Sequence, residues 1–426
     1  MRPFPHIGRR WLAAGVVAIL VGAAAVAGLV VSSSRPGNIS NPDVEYVATQ
    51  PPPVEKPKPA KQFSWPLYGY TPARTRYLPL ETNGLRPPFG RVWRLGGATL
   101  LEFPPVICGQ GMFIVKNTGS VYAIRRSDGY LRWTKRLGRL AASSPACGNG
   151  TVYATILQTS RGSKRGRVAA LKAKTGATRW SRVLPSRSES SPLLFRGRLY
   201  FGSEDGRVYA LDAKTGSVKW IYRAGGAVKG ALAMDGGKLY FGDYAGQVTA
   251  LDRATGRRVW RSSTGGSGPL GAGEGNLYST AAVAYGRVFI GSTNGFVYSF
   301  SSRTGRLAWR HKTGGYVYSS PAVGPAGGGT VYIGSYDGTF FALDARSGKV
   351  RWTRKSGGRI SGAAAIFGDI VAYANLGRRS VALVSASTGR LIWSRNNGGF
   401  DPGISDGKHL YLQGYSMIQA WQERKR

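Results

Sequence analysis

Side chains that could act as nucleophiles, general bases or metal ligands are scarce in this sequence. It holds three His and two Cys among 426 residues, and 20 Asp and Glu against 59 Lys and Arg. These counts exclude zinc-finger arrays, iron–sulfur clusters and disulfide-dense scaffolds. A His-dependent nucleophilic triad has little support, because His6 lies in the N-terminal tail and only His311 and His409 remain. The sequence therefore predicts a non-enzyme with no catalytic residue, no metal site and no cofactor.

Three of the carboxylates recur at one position. Asp212, Asp252 and Asp344 each lie shortly before a Thr-Gly or Ser-Gly pair. A carboxylate at that place accepts hydrogen bonds from the backbone N–H groups of a tight turn. We interpret these aspartates as structural, not catalytic.

The aspartates belong to a repeat that runs through most of the chain. Clear copies are VYALDAKTGSVKW (208–220), VTALDRATGRRVW (248–260), VYSFSSRTGRLAW (297–309) and FFALDARSGKVRW (340–352), with weaker copies at 121–133, 168–180 and 381–393. A Trp closes each unit about every 43 residues, and we assign these residues to packing between units: Trp93, Trp133, Trp180, Trp220, Trp260, Trp309, Trp352 and Trp393.

Each unit has the pattern of four antiparallel strands. Short runs of β-branched and aromatic residues alternate with Asn-Gly, Asp-Gly and Thr-Gly pairs, which favour tight hairpin turns. Four strands in ~43 residues is the size of one propeller blade. Trp93 ends a lone fourth strand and residues 403–421 supply three more, so the two ends complete one blade. The sequence predicts an all-β, eight-bladed β-propeller over 63–421.

The VYALDAxTGxxxW core, with its Ser-Pro-led first strand and Asp-Gly turn, resembles the PQQ-like repeat. That repeat is found in quinoprotein dehydrogenases and in the outer-membrane assembly factor BamB. Enzymes with this repeat hold pyrroloquinoline quinone (PQQ) between a Trp floor and two adjacent cysteines, and they bind Ca²⁺ through Glu, Asn and Asp. The resemblance implies that a dehydrogenase of this kind would need the same residues. This chain has no adjacent cysteines and few acids. The resemblance therefore implies a BamB-like protein-binding role.

The two cysteines occupy near-matching positions in successive units, offset by one residue. Cys108 lies three residues after Pro105, and Cys147 two after Pro145. Neighbouring residues of a strand point to opposite faces, and the front of one blade meets the back of the next. The sequence is consistent with two alternatives: a Cys108–Cys147 disulfide, or two buried free thiols.

The N-terminal region has the pattern of a membrane anchor. Residues 11–31 are an uninterrupted apolar and glycine stretch of 21 residues, enough to cross ~30 Å of hydrocarbon as a helix. Arg2, Arg9 and Arg10 precede it and only Arg35 follows closely, which predicts a cytoplasmic N-terminus.

We therefore expect a single-pass plasma-membrane protein with an extracytoplasmic propeller. The predicted order is a cytoplasmic tail (1–10), a signal-anchor transmembrane helix (11–31), a Pro-rich linker (32–62), the propeller and a basic tail (422–426). A cleaved signal peptide and secretion are the alternative, because Ala25-Val26-Ala27 has the small-residue pattern of a cleavage site.

Strand parity places the connections between blades on the same rim as the turns between second and third strands. We name this the crossover rim, and the opposite end the turn rim. Two insertions, 157–167 and 264–280, fall on the crossover rim. It is also predicted to carry the basic and aromatic residues that face a partner, the alternative being a merely solvated rim: Arg139, Arg161, Lys164, Arg165, Arg187, Lys229, Tyr316, Tyr318, Arg359 and Phe400.

Taken together, these features predict a membrane-anchored scaffold that binds a protein partner in the cell envelope. A binder of anionic polymer or lipid headgroups is the alternative, because the net charge is +39. A PQQ-dependent dehydrogenase has less support. Nucleic acid is not an expected partner of a domain outside the cell.

Overall fold

The computed structural model describes residues 37–48, 62–80, 85–265 and 275–424. The chain divides into two units, 1–38 and 39–426, and only Gly37 and Asn38 of the first are described. Within the described ranges, no helix is long and apolar enough to cross a membrane. The predicted span at 11–31 lies outside them.

Four short strands precede the first complete blade. They are β1 (Ile39–Ser40), β2 (Ser64–Trp65), β3 (Tyr77–Leu78) and β4 (Phe89–Leu95). Of these, only β4 belongs to the four-stranded core of a blade.

Blades 1 to 7 follow in chain order, each an antiparallel sheet whose first strand is innermost. Blade 1 has β5 (Val106–Cys108), β6 (Gly111–Lys116), β7 (Ser120–Arg125) and β8 (Leu131–Arg136). Blade 2 has β9 (Ala146–Gly148), β10 (Thr151–Ile156), β11 (Arg167–Lys172) and β12 (Thr178–Val183). Blade 3 has β13 (Leu193–Phe195), β14 (Arg198–Gly202), β15 (Arg207–Asp212) and β16 (Val218–Arg223). Blade 4 has β17 (Ala233–Asp235), β18 (Lys238–Gly242), β19 (Gln247–Asp252) and β20 (Arg258–Ser263).

The remaining blades keep the same plan. Blade 5 has β21 (Ala282–Ala284), β22 (Arg287–Gly291), β23 (Phe296–Ser301) and β24 (Leu307–Lys312). Blade 6 has β25 (Ala322–Gly324), a 3₁₀ helix (Ala326–Gly328), β26 (Thr330–Gly334), β27 (Thr339–Asp344) and β28 (Val350–Lys355). Blade 7 has β29 (Ala365–Phe367), β30 (Ile370–Asn375), β31 (Ser380–Ser385) and β32 (Leu391–Asn396).

Blade 8 is shared by the two ends of the chain. It has β33 (Gly403–Ser405), β34 (His409–Gln413) and β35 (Ile418–Glu423), with β4 as its outer strand. The pairing of β35 with β4 places Ala420 opposite Trp93. The predicted all-β propeller of eight four-stranded blades is confirmed.

Seven of the repeat tryptophans form a contact with the next blade. Each indole Nε1 donates to a carbonyl in the turn between the third and fourth strands of that blade, at 2.9–3.2 Å. The indole also lies against the glycine of that turn: a Cβ on Gly216 would stand 2.7 Å from Trp180. The donor–acceptor pairs are Trp93–Arg126, Trp133–Ala173, Trp180–Ala213, Trp220–Arg253, Trp260–Ser302, Trp309–Ala345 and Trp352–Ala386.

Residues 62–80 do not form a blade but bind the innermost strands that surround the central channel. Strand β2 pairs with β5 of blade 1, and β3 pairs in parallel with β29 of blade 7. Between them, the carbonyl of Pro66 accepts from Cys147 N–H at 2.9 Å, and that of Pro72 from Met234 N–H at 2.8 Å. Innermost strands otherwise leave one row of backbone groups unpaired. We call 62–80 the channel segment; the sequence analysis included 63–80 in the propeller but assigned no contacts to these residues.

A buried arginine fixes the channel segment from within. Arg74 is fully buried, and its Nε donates to the Leu232 carbonyl at 2.9 Å. Its Nη atoms donate to the carbonyls of Tyr68, Ser191 and Pro192. Burial, with the nearby Arg76 charge, lowers the pKa of Arg74 to about 9.

Residues 39–48 pack on the outside of blade 5, although the sequence analysis placed them in an extended linker. Strand β1 adds to the outer edge of β24, with Ser40 opposite Trp309. Val44 is buried and Tyr46 stacks on Tyr285, with ring centroids 5.4 Å apart. These apolar side chains explain why this part of the Pro-rich region folds onto the propeller.

A disulfide joins blades 1 and 2 at their innermost strands. It links Cys108, at the end of β5, to Cys147 in β9, whose Cα atoms lie 6.2 Å apart. The bond closes a loop across two blades and restricts the unfolded chain.

We expect no free thiol when the purified protein is denatured without reductant and titrated. Replacing both residues (Cys108→Ser with Cys147→Ser) should lower the free energy of unfolding by about 2–4 kcal/mol, because the unfolded chain gains entropy. The reduced wild-type protein serves as the control for both measurements: it should titrate with two thiols and lose a similar free energy of unfolding. Two titratable thiols in the unreduced protein would contradict the disulfide.

The contact between Trp and Gly can be tested with two glycines of blade 3. Gly216 and Gly197 both have φ of +73°, but a Cβ on Gly197 would meet no atom within 4 Å. Gly197→Ala should cost about 1 kcal/mol through backbone strain alone. Gly216→Ala should cost about 3 kcal/mol, because its Cβ also overpacks against Trp180. Urea denaturation measures both, and equal losses would show that the indole contact contributes nothing.

Candidate functional site

One position of each repeat lies at the mouth of the central channel on the crossover rim. It stands four residues before the innermost strand and is occupied, in blade order, by Glu102, Ala142, Glu189, Lys229, Tyr278, Tyr318, Ser361 and Gly399. Six of these eight residues line one cavity, the exceptions being Ala142 and Gly399. Aligning the repeats on their innermost strands would have found this position, which the sequence analysis noticed only at Lys229 and Tyr318.

The channel segment forms the floor of this cavity. The Tyr68 ring lies 5.6 Å from that of Phe103, and the Arg76 guanidinium carbon is 4.7 Å from the Tyr68 ring centroid. Both rings line the cavity, together with Phe400 and Asp401. Its volume is about 40 Å³, which is room for roughly three water molecules.

Lys229 is the centre of the charges at the channel mouth. Its Nζ lies 2.9 Å from Glu189 Oε1 and 2.9 Å from Glu204 Oε1. Burial opposes the charged amine, but the bonds and charges of the two carboxylates outweigh it and raise the pKa of Lys229. Lys229 Nζ also lies 5.3 Å from the Tyr244 ring centroid. The ammonium group is therefore held by its neighbours.

Two further carboxyl groups lie beside this ion pair. Burial, and secondarily the Glu189 charge, raises the pKa of Glu102 to about 7. Burial raises the pKa of Asp401 to about 7 as well, although Ala363 N–H donates to its Oδ1 at 2.7 Å. Both groups change charge near neutral pH. Sequence reasoning missed Glu102, Glu189 and Asp401 because it sought cations on this rim.

Aromatic rings extend the site outward along the crossover rim. Tyr318 lies 5.8 Å from Tyr278, 6.1 Å from Tyr316 and 4.8 Å from Tyr336, measured between ring centroids. The Arg359 guanidinium carbon stands 5.9 Å from the Tyr336 centroid. Tyr316 is 56% exposed. This group offers flat, partly apolar surface beside a positive charge.

The predicted partner-facing residues divide into two groups in the structure. Lys229, Tyr318 and Phe400 line the cavity, and Tyr316 and Arg359 flank it. Backbone bonds also tie the connections between blades to neighbouring turns on this rim, as from Tyr336 N–H to the Tyr316 carbonyl at 2.9 Å.

The other predicted residues do not line the cavity. Arg161, Lys164 and Arg165 are exposed on the 157–167 insertion. This insertion is held against the next connection by Arg187, whose Nε donates to the Ser163 carbonyl at 3.4 Å. Arg139 N–H donates to Gln158 at the base of the insertion. The second insertion, 264–280, includes 266–274 outside the described residues.

The three repeated aspartates lie in turns on the turn rim, away from the cavity. Asp212 Oδ1 accepts from the N–H groups of Lys214 and Thr215 at 3.0 Å, and Asp252 Oδ1 from Thr255 N–H at 2.8 Å. Asp344 Oδ1 likewise accepts from Ser347 N–H at 2.7 Å. The structure gives each of them a turn-capping role.

The two histidines of the propeller lie in different blades. His311 belongs to β24, and burial lowers its pKa. His409 Nδ1 lies 3.3 Å from Asp406 Oδ2, which also accepts from the Tyr411 hydroxyl at 2.8 Å. Arg126 of blade 1 lies 3.5 Å from the same oxygen. This network joins blade 8 to blade 1.

The residues at the channel mouth do not fit PQQ and Ca²⁺. A cavity of about 40 Å³ is far below the ~300–1,000 Å³ of typical cofactor sites. Glu189 is already paired with Lys229. In the described part of the chain, no three His, Cys, Asp or Glu side chains are grouped so as to hold a metal ion. The disulfide joins cysteines of two blades, not adjacent residues.

Comparisons with solved structures find the same fold in proteins of different activity. BamB from Moraxella catarrhalis superposes with a TM-score of 0.62 at 20% identity, covering 79% of this chain and 98% of that one. A quinohemoprotein alcohol dehydrogenase, ADHIIG from Pseudomonas putida HK5, gives 0.71 at 16% identity, covering 85% and 82%. The computationally designed Ika8 protein gives 0.64 at 16% identity, covering 78% and 99%. At these identities the likeness shows the fold alone.

Sequence comparison is more specific. No curated protein sequence matches the chain. The family model described as outer membrane protein assembly factor BamB matches residues 117–317 and 245–411. Because these matches cover more than half of the chain, the protein belongs to this family of PQQ-like β-propellers.

Proposed function

We propose that this protein is a non-catalytic scaffold of the cell envelope that binds a protein partner on its crossover rim. The observation that carries the proposal is the composition of that rim: the exposed Tyr316 and Arg359 and the half-buried Tyr318 and Tyr336 lie together beside a channel mouth that is lined by the protein's own Tyr68. Tyrosine and arginine are the residues that most often dominate binding at protein interfaces. Membership of the BamB family supports a binding role.

The placement in the envelope is part of the same proposal. The apolar stretch 11–31 and the preceding arginines support a retained anchor with the propeller outside the cytoplasm. The Cys108–Cys147 disulfide supports this side of the membrane, because such bonds persist in oxidising compartments. Secretion after cleavage of 1–27 is the alternative.

Binding of an anionic envelope polymer or of lipid headgroups is the second candidate function. It is supported by the net charge of +39. Association of that kind weakens steeply with added salt, because screening acts on exposed charges. An apolar contact through tyrosines is not weakened by added salt in this way. A dehydrogenase role is supported by the fold. It is not supported by the residues at the channel mouth.

A photo-crosslinking amino acid at position 316 tests the docking surface. The full-length protein would carry p-benzoylphenylalanine in place of Tyr316, with Tyr130 as the matched control. Tyr130 is 61% exposed but lies in the turn between β7 and β8, on the turn rim. We expect one defined protein adduct from position 316 in envelope membranes, at low and at high salt, and none from position 130.

A second variant links the adduct to the site. Arg359→Glu should reduce the adduct at position 316 several-fold, because it replaces the cation beside Tyr336 with an anion. Equal adducts from positions 316 and 130, or loss of all binding at high salt, would contradict the proposal; the salt result would favour the polymer or lipid.

A further inference from the structure

A groove between blades 2 and 3 on the turn rim is distinct from the channel mouth. Its volume is about 580 Å³, within the range of small-molecule sites. Arg179, Arg196 and Lys214 line it, together with an apolar wall that includes Leu194 and Phe195. No Asp or Glu is among the described residues that line it. The groove is therefore positively charged and partly apolar.

The three cations have no hydrogen-bond or ion-pair partner within the described parts of the chain. None of their side chains makes a hydrogen bond or ion pair there, and all three residues are exposed. The nearby Asp212 is already engaged, since its Oδ1 accepts from turn N–H groups and its Oδ2 lies 3.7 Å from Lys219 Nζ. Three like charges around one groove favour an anion.

One residue that lines the groove has a backbone N–H without an acceptor among the described residues. In blade 2 the Cys147 N–H donates to Pro66, and in blade 4 the Met234 N–H donates to Pro72. Leu194 holds the equivalent position in blade 3, yet its N–H has no acceptor among the described residues. Pro66 and Leu194 both line the groove.

Arg196 occupies a backbone position that suits other residues better. Its φ is +43° and that of Gly197 is +73°, the pattern of a tight hairpin turn that favours Asn or Gly first. The equivalent residues are Asn149 in blade 2 and Gly236 in blade 4. At this strained position, the Arg196 guanidinium carbon lies 5.3 Å from the Phe195 ring centroid.

We propose that this groove binds a phosphate monoester. The phosphate oxygens would be held by Arg179, Arg196 and Lys214, with the Leu194 N–H as a further donor. The ring or alkyl body of the ester would lie against Leu194, because the Arg196 and Arg253 guanidinium carbons each lie 5.3 Å from the Phe195 ring centroid. Three cations favour the phosphate dianion over a carboxylate, which has one charge and two oxygens.

Titration calorimetry with phenyl phosphate tests the proposal on the full-length protein at low salt. We expect wild-type protein to bind phenyl phosphate more tightly than benzoate. Arg196→Asn should weaken that binding about tenfold or more, because a charge-assisted hydrogen bond is lost. The same variant should keep or raise the melting temperature, because Asn suits the positive φ.

Arg379→Asn is the matched control. Arg379 also has a positive φ, of +50°, but lies in the turn between β30 and β31 on the crossover rim. The Arg379→Asn variant should bind phenyl phosphate with the same affinity as the wild-type protein. Absence of binding at millimolar concentration, equal binding of benzoate, or equal loss in both variants would overturn the proposal. The scaffold function does not depend on this result.

Discussion

The hydrogen bond from seven of the eight repeat tryptophans to the turn of the next blade is the interaction on which the propeller depends. It occurs seven times at nearly the same length, and each indole also fills the space left by a turn glycine. The acceptor carbonyl and the glycine belong to one blade and the indole to its neighbour. Each of these contacts therefore joins two neighbouring blades, and the seven together link the eight blades in series.

A closed ring creates a second requirement, because its innermost strands leave backbone groups unpaired along the central channel. The channel segment meets this need with its own carbonyls and with the Arg74 side chain. Its Tyr68 then leaves little space beneath the channel mouth. The channel mouth of this propeller is therefore a shallow, charged and aromatic surface.

The sequence determined the blades more clearly than the site. Trp spacing and Gly-containing turns predicted eight four-stranded blades, because these residues recur at the same places along the chain. The channel segment and residues 39–48 have no repeat, and their partners are distant strands, so local pattern could not place them. Lys229 and Tyr318 were predicted on the crossover rim. Glu102 and Asp401 were not, because their proximity depends on closure of the ring.

We infer that the channel mouth is too small to hold a cofactor. Titration of the full-length protein with PQQ and Ca²⁺ tests this inference directly. Quinone absorbance would report binding, and reduction of a dye with alcohol substrates would report dehydrogenase activity. We predict no stoichiometric binding and no activity. Tyr68 restricts the space at the channel mouth, and the Glu189 carboxylate, which could otherwise bind Ca²⁺, is paired with Lys229. Tight one-to-one binding with alcohol oxidation would contradict the scaffold function and show that the channel segment moves aside.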